Sequence, residues 1–553
     1  MSASVIIIGG GPTGLSATYH LGKDAILLEQ NATIGGWCRS IEDGGFTFDY
    51  AGHIMFSKDE YVHAMYRTLL GENVHWQDRE AWVYSKNVYS RYPFQGALYG
   101  LPADVIKECI IGAVEARYGK TEERSGAMIA PAKPESGVSG QGSGVGKIAI
   151  NGNGNGSGNS NGLYGVASVV AKSNGNGNGH ATKSNGDGHA VSGTGIHGAD
   201  DKEVVDCCAD GTSEIANGAT VTASEMPDIK AGEPRNFEEF IYKVWGAGIA
   251  KHFAIPYNRK LWAVPLAEME TSWLGGRVPL PNLEEMIEGA LSPVAKPMGP
   301  NARFGYPLRG GFQALMDGFW PHIGDQIRLN TRITGVSAFK HTVTLDDGTV
   351  LPYEQLISTM PLPALVRMLG EEAPVELQAA VQGLRHVSVR CVNIGVGREN
   401  LTEKHWIYYP EETVFHRIFV QGNASPHCNP VGGFGLTCEI TYSEYKPLPC
   451  DGEALIQRCI EDCHKVGIFT PEDEVWVTNQ VDMPYAYVVY DHGRAANVNV
   501  IRDWLLEHDI VLSGRYSEWE YYNSDHAFVA GKQAADAVQL LRQGRERTIA
   551  IGA

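Results

Sequence analysis

A short apolar strand entering a glycine turn and a helix near the start of the chain is the first of three patterns that fix the fold class. The second is a pair of stretches with helical periodicity, one on each side of a Gly/Asn/Ser-rich segment. The third is a later run of short alternating strands with glycine turns. Together they predict an α/β protein: a Rossmann-like dinucleotide-binding domain, an inserted helical domain and a mainly antiparallel β-sheet domain. At 553 residues the chain is too long for one hydrophobic core. Residues 1–60, 325–362 and 500–545 are assigned to the dinucleotide-binding domain, discontinuous in sequence. Residues 96–125 and 235–300 form the helical domain. Residues 61–95, 301–324 and 363–499 form the sheet domain that meets the substrate.

The first element is "SVIII", followed by the turn "GGGPTG", the helix "LSATYHLG" and the strand "AILLE". Gly9, Gly11 and Gly14 give G-x-G-x-x-G directly after a strand and at the opening of a helix. Gly9 permits the tight turn, Gly11 lets a pyrophosphate approach the backbone, and Gly14 lets helix and strand pack closely. Glu29 ends the second strand 20 residues after Gly9, where a carboxylate can accept from ribose hydroxyls. The helical layer comes next, in "LPADVIKECIIGAVEARYG" and "NFEEFIYKVWGAGIAKHF". Between them, residues 126–234 carry runs such as "NGNGNGSGNSNG", which cannot bury enough apolar surface to offset ordering; they are expected to be a disordered insert. From "QIRLNTRITGVSAF" onward the pattern is strand and turn, and "SDHAFVAGKQAADAVQLLRQ" from Ser524 closes the chain as one amphipathic helix.

Bulk properties exclude several classes. The longest apolar runs are strand-length, short of the ~20 residues of a membrane span. No charged segment followed by an apolar run opens the chain, so a cytoplasmic protein is expected. The ten cysteines form no C-x-x-C pair, which predicts reduced thiols and no metal site. A formal net charge of −19 argues against nucleic acid and anionic membranes. An anionic substrate would then need placed arginines to hold it. A homo-oligomer is compatible with this composition.

Two later features favour FAD over NAD. Gly35 and Gly36 follow Glu29 closely in "QNATIGGWCRS", as in FAD sites. "SGRYSEWEYYNSDHAF" offers Gly514 and Arg515 to close over the cofactor, and a helix beginning near Asp525 whose N-terminus points toward it. The two ends of the chain then meet at one cofactor, an organisation similar to FAD enzymes of the amine oxidase class.

Within that class the block "PYNRKLWAVPLAEMETSWLGGRVPLPN" is specific. With "AGHIMFS", "YPFQ", "GPNARFGYPLRGG", "HWIYYPEETVFHR" and "SDHAF", in the same order, it resembles the UDP-galactopyranose mutases, the eukaryotic type more than the short bacterial one. The resemblance runs through both halves of the chain and leaves out the low-complexity insert. It implies an isomerase with no net redox change, in which the N5 atom of reduced FAD attacks the anomeric carbon of a UDP-galactose-type substrate as UDP departs. NADPH is the reductant it implies, and glycan or cell-wall synthesis the setting.

The resemblance also implies residue roles. Arg277 and Arg417 match the two diphosphate-binding arginines. Tyr408, Tyr485 and Tyr521 match phenols on the diphosphate, with Tyr487 a rival to Tyr485, and Asn523 joins that group. Tyr92, Phe94, Gln95, Asn301 and Trp406 match the uridine pocket. Asn258 and Trp262 match residues lining the sugar. His53, beside Gly52, lies in a loop passing the flavin face. Arg79 matches an arginine that helps hold the reduced flavin. Pro12, Thr13 and Val336 complete the cofactor set. Ala81 stands where the family pattern has Ser, so flavin reduction is expected to differ in detail. Alternatives left open are an FAD-dependent amine oxidase-like oxidoreductase, a mutase for another nucleotide sugar, and a non-catalytic flavin-binding protein.

Overall fold

The computed structural model describes residues 4–119, 233–274, 282–293 and 302–552. All belong to one compact unit, Met1–Glu123 with Asp206–Ala553. The insert expected over residues 126–234 lies outside the described residues up to 232, as do Arg277 and Asn301.

A five-stranded parallel sheet forms the first layer. Strand β1 (Val5–Ile8) pairs with β2 (Ala25–Leu28) on one side and with Gln355–Ser358 on the other. Ile327–Arg328 and Ile510–Leu512 extend the two edges. All four residues of β1 are buried, as expected of a central parallel strand covered on both faces. Between β1 and β2 runs helix α1 (Pro12–Leu21).

A seven-stranded, mostly antiparallel sheet forms the second layer. Its site-bearing strands are β3 (Trp406–Tyr408), β4 (Arg417–Phe419), β5 (Phe434–Tyr442) and β6 (Val475–Val488). Ala81–Ser85 joins it by a parallel pairing with β3. The fold class read from the sequence is therefore the one observed.

The helical layer departs from the sequence reading in one respect. Helix α2 (Ala103–Tyr118) is continuous. The stretch from Phe237, whose spacing predicts helix, is interrupted at Gly246, whose φ is 84°. A Cβ there would strike the backbone of Gly112, and one on Gly248 would strike that of Glu108. The two backbones touch, and only a break with glycine at both crossing points allows it. Beyond the break the chain re-forms a helix, α3 (Ile255–Trp262), which carries the residues facing the sheet. Helix α4 (Ser524–Gly552) returns to pack on α1, with Ser16 Oγ donating to Phe528 O at 2.7 Å. Among the described residues no helix is long and apolar enough to cross a membrane.

This seam predicts that Gly248→Val lowers stability by about 1–3 kcal/mol, the usual range for overpacking a closed contact. Thermal unfolding would show it as a fall in Tm; an unchanged Tm would mean the helices can separate freely.

Candidate functional site

The dinucleotide cradle is built from backbone. Gly35 N donates to Gly10 O at 2.7 Å, drawing the second glycine turn against the first. A Cβ on Gly36 would lie 3.2 Å from Gly11 Cα, so bare backbone faces bare backbone. Gly11 caps α1 without a side chain, which leaves the N–H groups of the first turn to a ligand. Pro12 and Thr13 form that turn. Buried Glu29 accepts from Gly10 N at 2.7 Å and from Asn31 N at 2.8 Å, which fixes its carboxylate at the end of β2. A glycine-lined cleft at an uncapped helix N-terminus, with a fixed carboxylate beside it, fits a dinucleotide.

Gly514 closes over this turn: a Cβ on it would come 2.5 Å from Thr13 Oγ1. Arg515 donates to Tyr522 O at 2.9 Å and Ala486 O at 2.8 Å, and its guanidinium lies 4.7 Å from the Tyr521 ring. Asp525 opens α4 and contacts His526 at 2.9 Å. Val336 is buried on Ile333–Ser337, paired with Val343, and five residues earlier Thr331 N donates to Glu29 O at 2.8 Å.

The Gly52–His53 loop links cradle and sheet. Gly52 packs on Trp406 and Phe419, with its N–H 3.4 Å from Glu439 Oε1. His53 Nδ1 is 2.8 Å from Ala51 O, and its ring stacks on Phe312 at 5.2 Å. Burial pulls its pKa down to about 4, and the charges of Arg515 and Arg417 push the same way. His53 is thus neutral at pH 7, which suits a loop-positioning role.

On the sheet, Arg417 and Glu439 face each other across β4 and β5 and bond at 2.6 Å, with the Glu439 carboxylate 1% exposed. Burial works against the Arg417 charge, but Glu439 together with Tyr487 and Tyr257 outweighs it and holds the guanidinium charged. Arg417 Nη2 also donates to Tyr487 OH at 3.2 Å, and its buried Nε has no hydrogen-bond partner among the described residues. Next door, Arg79 donates to Tyr408 OH at 2.9 Å and lies 4.9 Å from the Trp406 ring. Tyr408 is the strand partner of Arg417. Around them the rings of Tyr92 and Tyr408 are 5.0 Å apart, Trp262 and Tyr487 6.0 Å, and Tyr487 and Tyr521 5.9 Å.

Several expected residues sit deeper. Phe94 is fully buried against Phe253, Gln95 is buried, and Asn258 donates to Ala254 O at 2.8 Å from within α3. Asn523 accepts from Ala527 N at 3.1 Å through its backbone, at the start of α4. Tyr485 is not beside Arg417. Its hydroxyl takes a bond from Arg367 at 3.2 Å and its ring stacks on His386 at 4.3 Å. The register of β6 shifts between Tyr487 and Met483, so the intervening residues turn away and Tyr487 takes the inward place.

Sequence reasoning missed Glu439 and Tyr257. Glu439 is the single acid in the apolar run "FGLTCEITY", a signal that a buried cation must face it. Tyr257, adjacent to Asn258, packs edge-on against Tyr408 at 5.5 Å.

Residues 7–69 match the family model of NAD(P)-binding Rossmann-like domains, and residues 267–539 that of flavin containing amine oxidoreductases. The fold is thus flavin amine oxidoreductase-like, and these matches support FAD as its dinucleotide. A solved structure of reduced UDP-galactopyranose mutase is similar at 26% identity, covering 98% of this chain and 96% of that one, with a TM-score of 0.73. Putrescine oxidase bound to putrescine (13%, 98% and 99%, TM-score 0.54) and a fatty acid isomerase from P. acnes (12%, 97% and 98%, TM-score 0.51) share the fold alone.

The lowered His53 pKa has a signed consequence. The unfolded chain takes up this proton near pH 6.5 and the folded chain only near 4, so the contribution is intact above about 6.5 and is lost as pH falls toward 4. His53→Asn should reduce the fall in stability between these pH values by roughly 1 kcal/mol or more. Denaturant unfolding of both proteins across the window checks this, and identical slopes would contradict it.

Proposed function

We propose that this chain is a flavin-dependent nucleotide-sugar mutase that interconverts UDP-galactopyranose and UDP-galactofuranose. The observation that carries this reading is a surplus of guanidinium at the tyrosine cluster. Arg417 has one carboxylate partner, while Arg79 and Arg515 have no carboxylate partner among the described residues. In a chain of net charge −19, such a place suits an anion. The resemblance to UDP-galactopyranose mutase in sequence motifs and fold supports reading that anion as the diphosphate of UDP.

Reduced FAD would supply the nucleophile for the anomeric carbon. Arg417, with Arg277, would hold the diphosphate and stabilise the charge that grows on it as the glycosidic bond opens. Tyr408, Tyr487 and Tyr521 would donate hydroxyls to the same oxygens, and Asn523 would border them. Tyr92, Phe94, Gln95, Asn301 and Trp406 would enclose uridine. Asn258 and Trp262 would face the sugar, with indole against its C–H face. Neutral His53 would hold the loop at the flavin without moving a proton, and Arg79 would favour the anionic reduced state. NADPH would be the reductant in the cytoplasm.

The test is turnover without net electron flow. Dithionite-reduced protein given UDP-galactofuranose under nitrogen should form UDP-galactopyranose through many cycles, with the flavin still reduced at the end. Oxidised protein should be inactive. Flavin reoxidation in step with product, or no conversion by the reduced protein, would overturn the assignment.

A further inference from the structure

The block "PYNRKLW" contains a charged residue that the proposed chemistry does not use. Lys260 lies on α3, three residues after Tyr257 and two before Trp262, both of which meet site tyrosines. Its side chain runs inward to the turn between β3 and β4. The ammonium donates to Tyr409 O at 2.9 Å, Glu411 O at 3.0 Å and Thr413 Oγ1 at 2.8 Å. All three of its protons are therefore used on five consecutive residues of one turn. That turn joins Tyr408 to Arg417. Thr413 in turn donates to Phe415 O at 2.7 Å, passing the restraint toward Arg417.

We propose that Lys260 is a positioning residue: it pins the Tyr408–Arg417 hairpin to helix α3 and so sets the spacing of the two groups that receive the substrate's diphosphate. The inference rests on the proposed function for its ligand and on geometry for the clamp. Without the ammonium, two carbonyls and a hydroxyl in a closed turn lose their donor, and the turn must rearrange to regain one. Of these ties the ring contacts of Tyr257 with Tyr408 and His416 would remain, and they carry no hydrogen bond to the turn.

The environment makes the clamp sensitive to pH. Burial lowers the Lys260 pKa to about 7, with Lys446 and Lys465 acting in the same direction and Asp462 and Glu411 opposing them. His416, on the same hairpin, is held neutral by burial and by the Arg417 and Lys260 charges. A neutral amine has two protons for three acceptors, so the clamp should loosen as pH rises through neutrality.

The experiment compares FAD-loaded parent, Lys260→Met and Thr413→Ala. UDP-galactopyranose is the probe, because its diphosphate diester does not itself titrate between pH 6 and 9. The parent should lose affinity over that range, and K260M should already be about 10-fold to 100-fold weaker at pH 6 and change little with pH. T413A, which keeps the lysine and one fewer acceptor, should show a smaller loss and a limb displaced to lower pH. Amide hydrogen exchange over residues 409–417 should be faster in K260M. Parent-like affinity at pH 6, or a parent-like pH limb in K260M, would overturn the proposal. If the parent does not bind the nucleotide sugar, the functional reading fails; exchange then judges the clamp, unchanged protection over 409–417 counting against it. If K260M does not fold, T413A decides by the same two readouts.

Discussion

The buried pair between Arg417 and Glu439 is the constraint around which the candidate site is arranged. A guanidinium taken out of water must be matched, and Glu439, directly across the strand pair, matches it at 2.6 Å. The pairing occupies one edge of the arginine. The Nη2 that bonds Glu439 also meets the hydroxyl of Tyr487, the buried Nε has no hydrogen-bond partner among the described residues, and the neighbouring strand brings Tyr408 and Arg79 alongside. Breaking such a pair by removing one partner costs about 3–5 kcal/mol, so the sheet and the charge pattern hold each other in place. Gly52 reaches the same carboxylate, which couples the loop carrying His53 to the sheet.

The parallel sheet supplies the other half. Two glycine turns make a cradle from backbone alone; Gly514 closes over it against Thr13, and helix α4 packs on α1 through Phe528. Residues separated by some five hundred positions therefore share one cleft. The helical layer reaches the sheet through α3, whose Tyr257 and Trp262 rings pack on Tyr408 and Tyr487. The fold class serves different chemistries in its relatives, so the identity of the anion rests on the side chains and not on the scaffold.

Much of this was legible in the sequence where one residue type has one physical reason to be present. The glycine fingerprint, Glu29 and the closing helix are of that kind. So are Arg417 and Tyr408, carried by long motifs. What was hidden depended on register. Tyr485 and Tyr487 lie two apart, and a regular strand would put both on one face. The irregularity beside Pro484, in a strand interior where proline cannot donate to the ladder, separates them. The break at Gly246 was hidden in the same way, because apolar spacing continues across it while the backbone contact with α2 does not permit a helix. Lys260 carries no periodic signal, since its partners are backbone carbonyls.

If the Arg417–Glu439 pair presents a guanidinium to the diphosphate, its two members should not act independently on nucleotide binding. The direct measurement is a double-mutant cycle on UDP affinity in the FAD-loaded protein, with Arg417→Ala, Glu439→Gln and the double variant. Arg417→Ala should keep FAD and lose about 30-fold or more in UDP affinity. Glu439→Gln should lose less, and the double variant should bind no worse than Arg417→Ala alone. Losses that simply add, or an Arg417→Ala protein that binds UDP like the parent, would place the anion elsewhere and contradict the central claim.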